Sequence, residues 1–196
     1  GVIDVNFKGN NIDNFAGAAK LYNGQLKSKV STINFDSLTL SSNIDKGNKI
    51  IRIASDDVQA SIQGKFDIVH LPASIQYFIR SYLPTYIPAP KNTPTNQQFD
   101  ISIKTNYFEP YIRIFNPDFS GFNNVQINGT LNTLNKSIVA KGTIPYAQWK
   151  EYNIRKGFID ARGTKDSLFV QFNASSANLT DSFSLVQPNI KISTSN

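Results

Sequence analysis

Apolar residues recur at every second position through most of the chain. Ile3, Val5 and Phe7 alternate with Asp4, Asn6 and Lys8, and Phe99, Ile101 and Ile103 alternate with Asp100, Ser102 and Lys104. Val125, Ile127 and Leu131 share one parity around Gly129, and Ile138, Ala140 and Ile144 continue in the same style. Leu168, Val170 and Phe172 form another such run, and Ile190 and Ile192 close the chain. Shorter runs lie at Ile51 and Ile53, and at Ile62, Phe66 and Ile68. A period of two places one apolar row on one face of each strand, the pattern of half-buried antiparallel sheet. Ile33, Phe35, Leu38 and Leu40 follow it with one change of phase at Asp36-Ser37. Asn23-Gly24, Lys46-Gly47-Asn48 and Arg162-Gly163-Thr164-Lys165-Asp166 read as hairpin turns between runs. Strands of about six to ten residues joined by short turns predict a meander.

One segment has a different period. Ile75, Phe78, Ile79, Tyr82 and Leu83 fall on one helical stripe, which predicts an amphipathic helix over about 71–83. Pro72 suits its first turn and Pro84 stops it, before a Pro-rich loop through Pro88, Pro90 and Pro94. The helix is expected to plug an open edge or mouth of the sheet. A second short helix is expected over about 109–115, from Glu109-Pro110 to Asn116-Pro117, with Tyr111, Ile114 and Phe115 on one side. Residues 1–196 read as a single β segment, interrupted over 71–97. A faint repeat of Asp-Ser before apolar alternation, at Asp36, Asp166 and Asp181, reads as a turn that launches a strand.

Composition narrows the function. The chain has no cysteine and one histidine, which excludes disulfides, thiolate chemistry and a histidine-pair metal site within it. The net charge of +6 is spread singly, without the clustered cations and aromatics of a nucleic-acid groove. No run reaches the roughly 20 apolar residues of a membrane-crossing helix. The chain opens on a strand-like run without methionine, as expected of a piece of a longer polypeptide whose anchor lies elsewhere.

Catalysis finds little support. His70 sits at a strand–helix junction beside Pro72 with no nucleophile motif, so a boundary role is expected. Asp56-Asp57 would face opposite sides of a strand and reads as a solvated turn. Asp13, Asp45 and Asp67 lack metal-loop spacing. Asn128, Asn135, Asn173 and Asn178 head Asn-x-Ser/Thr triplets that arise from composition. Trp149 reads as a packing aromatic. No enzyme, cofactor or metal is expected.

The run Gly1–Gly9, the segment Ile33–Leu40, the helix Leu71–Leu83 and the stretch Ser120–Ile144 together resemble the TamB/AsmA-like envelope proteins. The most telling stretches are Gly121-Phe122-Asn123-Asn124-Val125-Gln126-Ile127-Asn128-Gly129-Thr130-Leu131-Asn132 and Glu109-Pro110-Tyr111-Ile112-Arg113-Ile114-Phe115. They look most like the C-terminal region of the Bacteroidota type. The resemblance implies a mainly β fold, with a curved antiparallel sheet forming an open, taco-like groove. It also implies the periplasmic part of an inner-membrane-anchored protein of a Gram-negative bacterium, conducting phospholipid acyl chains toward the outer membrane. An outer-membrane protein assembly role beside a BamA-like partner is the alternative. No catalytic residues carry over. The candidate groove residues are Ile3, Val5, Phe7, Ile101, Ile103, Val125, Ile127, Leu131, Ile138, Leu168, Val170 and Phe172. A carbohydrate-binding domain is a third reading, with Tyr107, Tyr111, Trp149 and Tyr152 as its exposed aromatics.

Overall fold

A computed structural model describes residues 1–11, 13–29, 32–92, 95–180 and 182–195. Pro94, Asp181 and the Phe115 side chain, which figure in the sequence reading, lie outside the described residues.

The two-residue alternation builds one large antiparallel sheet that stays open and does not close into a barrel. Its first half comprises β1 (Val2–Lys8), β2 (Ala16–Lys27), β3 (Thr32–Asp45), β4 (Asn48–Ser55), β5 (Val58–Lys65) and β6 (Gln98–Thr105). Then follow β7 (Phe119–Gly121), β8 (Gln126–Asn132), β9 (Ser137–Trp149), β10 (Tyr152–Gly163) and β11 (Ser167–Asn173). The last are β12 (Ser176–Thr180), β13 (Phe183–Val186) and β14 (Asn189–Ser195). Along the sheet the order is β1-β2-β3-β4-β5-β6-β8-β9-β10-β11-β14, so sequence neighbours are mostly spatial neighbours. β7 adds to the far end of β9, and β12 with β13 to the far end of β10.

Two helical excursions interrupt the meander. α1 (Leu71–Arg80) lies between β5 and β6, and α2 (Glu109–Phe115) between β6 and β7. α1 ends three residues before the expected limit, because the chain turns toward Pro84; Arg80 Nη1 then donates to the carbonyls of Pro84 (3.2 Å) and Ile87 (2.5 Å). Phe78 and Tyr82 pack with Phe66, Phe99, Leu131 and Leu168, so α1 lies on the apolar face rather than over an edge. The Tyr82 hydroxyl bonds the Thr164 carbonyl, at the β10–β11 turn. The excursion is pinned at its base by fully buried Gln97, whose Oε1 accepts the Asp67 N–H at 2.9 Å. α2 sits at the opposite end of the strands. Its Tyr111 packs with Ile33 and Phe35 and donates its hydroxyl to Asp57 Oδ2 at 3.0 Å. Asn123 Oδ1 accepts the N–H groups of Phe108 and Glu109 and caps its start. Asp56-Asp57 do form the turn between β4 and β5, as the sequence predicts, but Asp57 is half-buried there and anchors α2.

Asn23-Gly24 is also not a hairpin turn. It lies inside β2, where Asn23 takes a φ of 47° and the ladder with β3 skips the Asn23–Asp36 pair. That interruption produces the phase change read at Asp36-Ser37 and brings Ile33 and Phe35 onto the face of Leu38. Gly24 is required there, since a Cβ would sit 2.3 Å from the Phe35 ring. Asp36 consequently lies in mid-strand, while Asp166 does stand in the turn before β11, so the Asp-Ser pairs are not one repeated device.

Lys49 is 6% exposed on the apolar side, an expensive place for a charge. Asp13, from the β1–β2 turn, meets it at 2.8 Å and also accepts the Ile68 N–H at 2.7 Å. The Lys49 ammonium also lies 5.0 Å from the Phe66 ring centre. Burial alone would raise the Asp13 carboxyl. The Lys49 ammonium, the Ile68 N–H and a bond with Asp67 outweigh it and hold the group below its ordinary value of 3.8. A depressed carboxyl stabilises the fold above its unfolded pKa and loses that contribution as the pH falls through the folded value. Asp13→Ala is therefore expected to cost about 2–3 kcal/mol at neutral pH by stranding Lys49. The cost should shrink in urea melts below about pH 4. An equal cost at all pH values would refute the pairing.

Candidate functional site

The strand registers assign every residue to a face, which alternation in single strands could not do. Ile3 pairs with Leu21, Val5 with Ala19 and Phe7 with Gly17. Ile101 lies between Ile62 and Gly129, and Ile103 between Ala60 and Ile127. Leu131 meets Ile138, Val170 meets Ala161 and Ile192, and Phe172 meets Ile159 and Ile190. All twelve candidate residues fall on one face, with Val125 in step just ahead of β8 through its Thr105 partner. One cross-sheet row runs Val5, Ala19, Leu40, Ile53, Ala60, Ile103, Ile127, Gly142, Ile159, Phe172 and Ile190. At about 4.8 Å between strands, that row spans roughly 48 Å.

The opposite face is mostly polar, although Val2, Tyr22, Val139, Phe158 and Phe169 stand exposed on it. A parallel row there carries Asn6, Ser41, Arg52, Ser61, Ser102, Asn128, Lys141, Asp160, Gln171 and Lys191. Bonds from Arg162, with Lys141 nearby, hold the Asp160 carboxyl below its ordinary value. Open depressions of about 410 and 550 Å³ lie on this side, lined by residues such as Asp100, Asn128 and Lys141, or Gln63, Lys65 and Gln98.

The apolar face is only partly covered. Leu131 and Leu168 are buried in one cluster with Phe78 of α1 and the following Tyr82, and Ile101, Ile138 and Val170 pack against that cluster. Val125 is buried as well. Leu131, Leu168 and Val125 are thus core residues here and offer little surface to a ligand. α2 covers Leu38 and Leu21 at the other end of the strands. Between the helices an apolar strip stays open. Leu40 is 36% and Ile53 39% exposed in mid-sheet, rising to 54% at Val5 and 48% at Ile190 on the margins. Ile103, Ile127 and Phe172 are half-buried within it. Leu40, Ile53, Ile190 and Ile192 are missing from the candidate set although their alternation is plain in the sequence. Only the register shows that they join it.

No protein-family model, curated protein or solved structure matches the chain.

Glycine and alanine shape the strip. Gly129, Gly142, Gly157 and Gly163 all lie on the apolar face of β8–β10. A Cβ on Gly142 would stand 2.8 Å from Ile127 Cγ1. Small residues there let large neighbours settle between strands. Gly142→Ala is expected to destabilise the sheet by about 1–2 kcal/mol through overpacking, seen as a lower denaturant midpoint.

The remaining residues singled out in the sequence take structural places. His70 stands at the start of α1 with Nδ1 2.8 Å from Asp67 Oδ2. Tyr111 is buried, and its hydroxyl is pushed up to about 12 by burial and the Asp57 bond, so it is no exposed glycan platform. Trp149 and Tyr152 do stack, at 5.8 Å. Among the described residues no helix is long and apolar enough to cross a membrane.

Proposed function

We propose that the chain shelters lipid acyl chains along the open apolar strip, as a segment of a bridge-like envelope protein that conducts phospholipids between two membranes. The reading is carried by one observation: a half-exposed apolar row that crosses all eleven strands of the main sheet without a charged residue. An acyl chain in water is unfavourable by about 0.8 kcal/mol per CH₂. A uniform strip removes that cost at each position along it. The polar reverse face stays hydrated, so only one side need meet lipid. In this reading the protein is not an enzyme, the partners are phospholipid chains, and the strip lies in the periplasm of a Gram-negative bacterium.

The test is lipid retention. Protein purified from a lipid-rich lysate should carry phospholipid by native mass spectrometry, and an acyl-chain fluorophore should bind it competitively with that lipid. Protein that carries no lipid and leaves the fluorophore in water would end the proposal.

A second reading has its own support. Every residue of β1 is exposed, and its outer backbone groups face away from β2. Such an edge can pair with an incoming strand. An assembly role beside a BamA-like partner would use that edge. It predicts that Val5→Pro stops crosslinking to nascent outer-membrane strands, whereas a charge at Ile53 does not.

A further inference from the structure

At the α2 end of the sheet, beyond the strip, lies a hollow of about 180 Å³ lined mainly by Phe119, Phe122, Trp149, Tyr152, Ile154 and Leu179. The registers place Trp149 opposite both Phe119 and Tyr152. The three rings stack in series, at 6.2 Å and 21° and at 5.8 Å and 28°. The Lys150 ammonium lies 5.3 Å from the Trp149 ring centre. Trp149 is thus fixed as a wall although it is 45% exposed. The hollow also adjoins the strip. The ladder between β9 and β10 skips one pair at Lys156, whose φ is 50°, and this turns Ile154 toward the face of Gly157. A Cβ at Gly157 would touch both Ile154 Cδ1 and the Phe172 ring, at 3.3 and 3.5 Å.

We infer that this hollow holds the end of a single alkyl chain. Dry apolar cavities of about 150 Å³ accept one benzene-sized ligand, so the space suits a short run of methylenes. Gln148, Asn153 and Asn178 also line the hollow, and Asn153 Oδ1 is buried there without a hydrogen bond, so a sugar ring is the competing occupant. Continuity with Phe172 favours a chain arriving along the strip. The inference rests on the acyl-chain reading for the chemistry of its ligand, but on separate residues for its site.

Trp149 is the only tryptophan, so its emission reports this hollow alone. Sodium octanoate, titrated below its micellar range, should shift that emission to the blue with saturation. Octyl glucoside, with the same tail, should do the same, while acetate and glucose should not. Leu179→Glu, at a 41% exposed position, should weaken both tails about tenfold with the melting temperature little changed. Ile53→Asp should leave the octanoate titration intact. A silent Trp149, an equal response to glucose, or an unchanged titration in Leu179→Glu would overturn the inference. If Trp149 stays silent while a long-chain fluorophore still binds and is lost in Ile53→Asp, the hollow fails and the strip survives. If octanoate binds but the strip holds no long chain, the conducting role fails and the hollow survives.

Discussion

Ile53→Asp is expected to weaken retention of a long acyl fluorophore by at least about tenfold while the sheet stays folded. Ile53 stands in the middle of the open row, between Leu40 on β3 and Ala60 on β5. A ligand lying across it must dehydrate the new carboxylate, and an unpaired charge in an apolar contact is far costlier than a lost methylene. The position is 39% exposed, so the carboxylate keeps its water when no ligand is bound. The fold should lose only about 1 kcal/mol from the poorer strand propensity of Asp. That corresponds to roughly 2–4 °C in melting temperature for a chain of this size. Fluorophore binding and a thermal melt on the same sample check both halves. Undiminished binding would remove the strip as the ligand surface. Val170 is a poorer site for this experiment, because it packs against the α1 cluster and a charge there would also disturb the core.

Phe78→Ala is expected to give the largest loss of stability. Phe78 is 4% exposed, lies edge-on to Tyr82 at 5.4 Å and belongs to the cluster with Phe66, Phe99, Leu131 and Leu168. Truncating a buried phenylalanine costs about 3–5 kcal/mol through lost burial and the cavity left behind. The melting temperature should fall by roughly 10 °C. Limited proteolysis should show faster cleavage in residues 84–92, the loop that α1 tethers. Tyr77→Ala, at a 51% exposed position on the same helix, serves as the control and should change little. Equal effects of the two substitutions would mean that α1 is not docked through Phe78.

The fold class was legible because its signal is local. Alternation at Ile3 to Phe7, or at Phe99 to Ile103, fixes strand identity residue by residue, and the Ile75–Leu83 stripe with Pro72 and Pro84 fixes a helix. Which residues form the open strip was not legible, because that depends on pairing between distant strands. Leu131 and Ile53 look alike in sequence, yet one is 5% exposed beneath α1 and the other remains open. Asn23-Gly24 failed for a related reason. The dipeptide favours positive φ, and a ladder interruption inside a strand uses that preference as readily as a hairpin does. Asp57 could not be assigned from sequence either, since its partner Tyr111 is far along the chain and meets it only through the fold.

Among the described residues the two outermost strands of the main path, β1 and β14, each pair on one side only. The greasy row reaches both margins undiminished, at Val5 and at Ile190. Its reach is therefore a matter of strand number alone. Each further hairpin stitched to either margin would lengthen the apolar row by about 9.6 Å, two strand spacings. A sheet built this way sets the length of its apolar row simply by repeating its simplest unit.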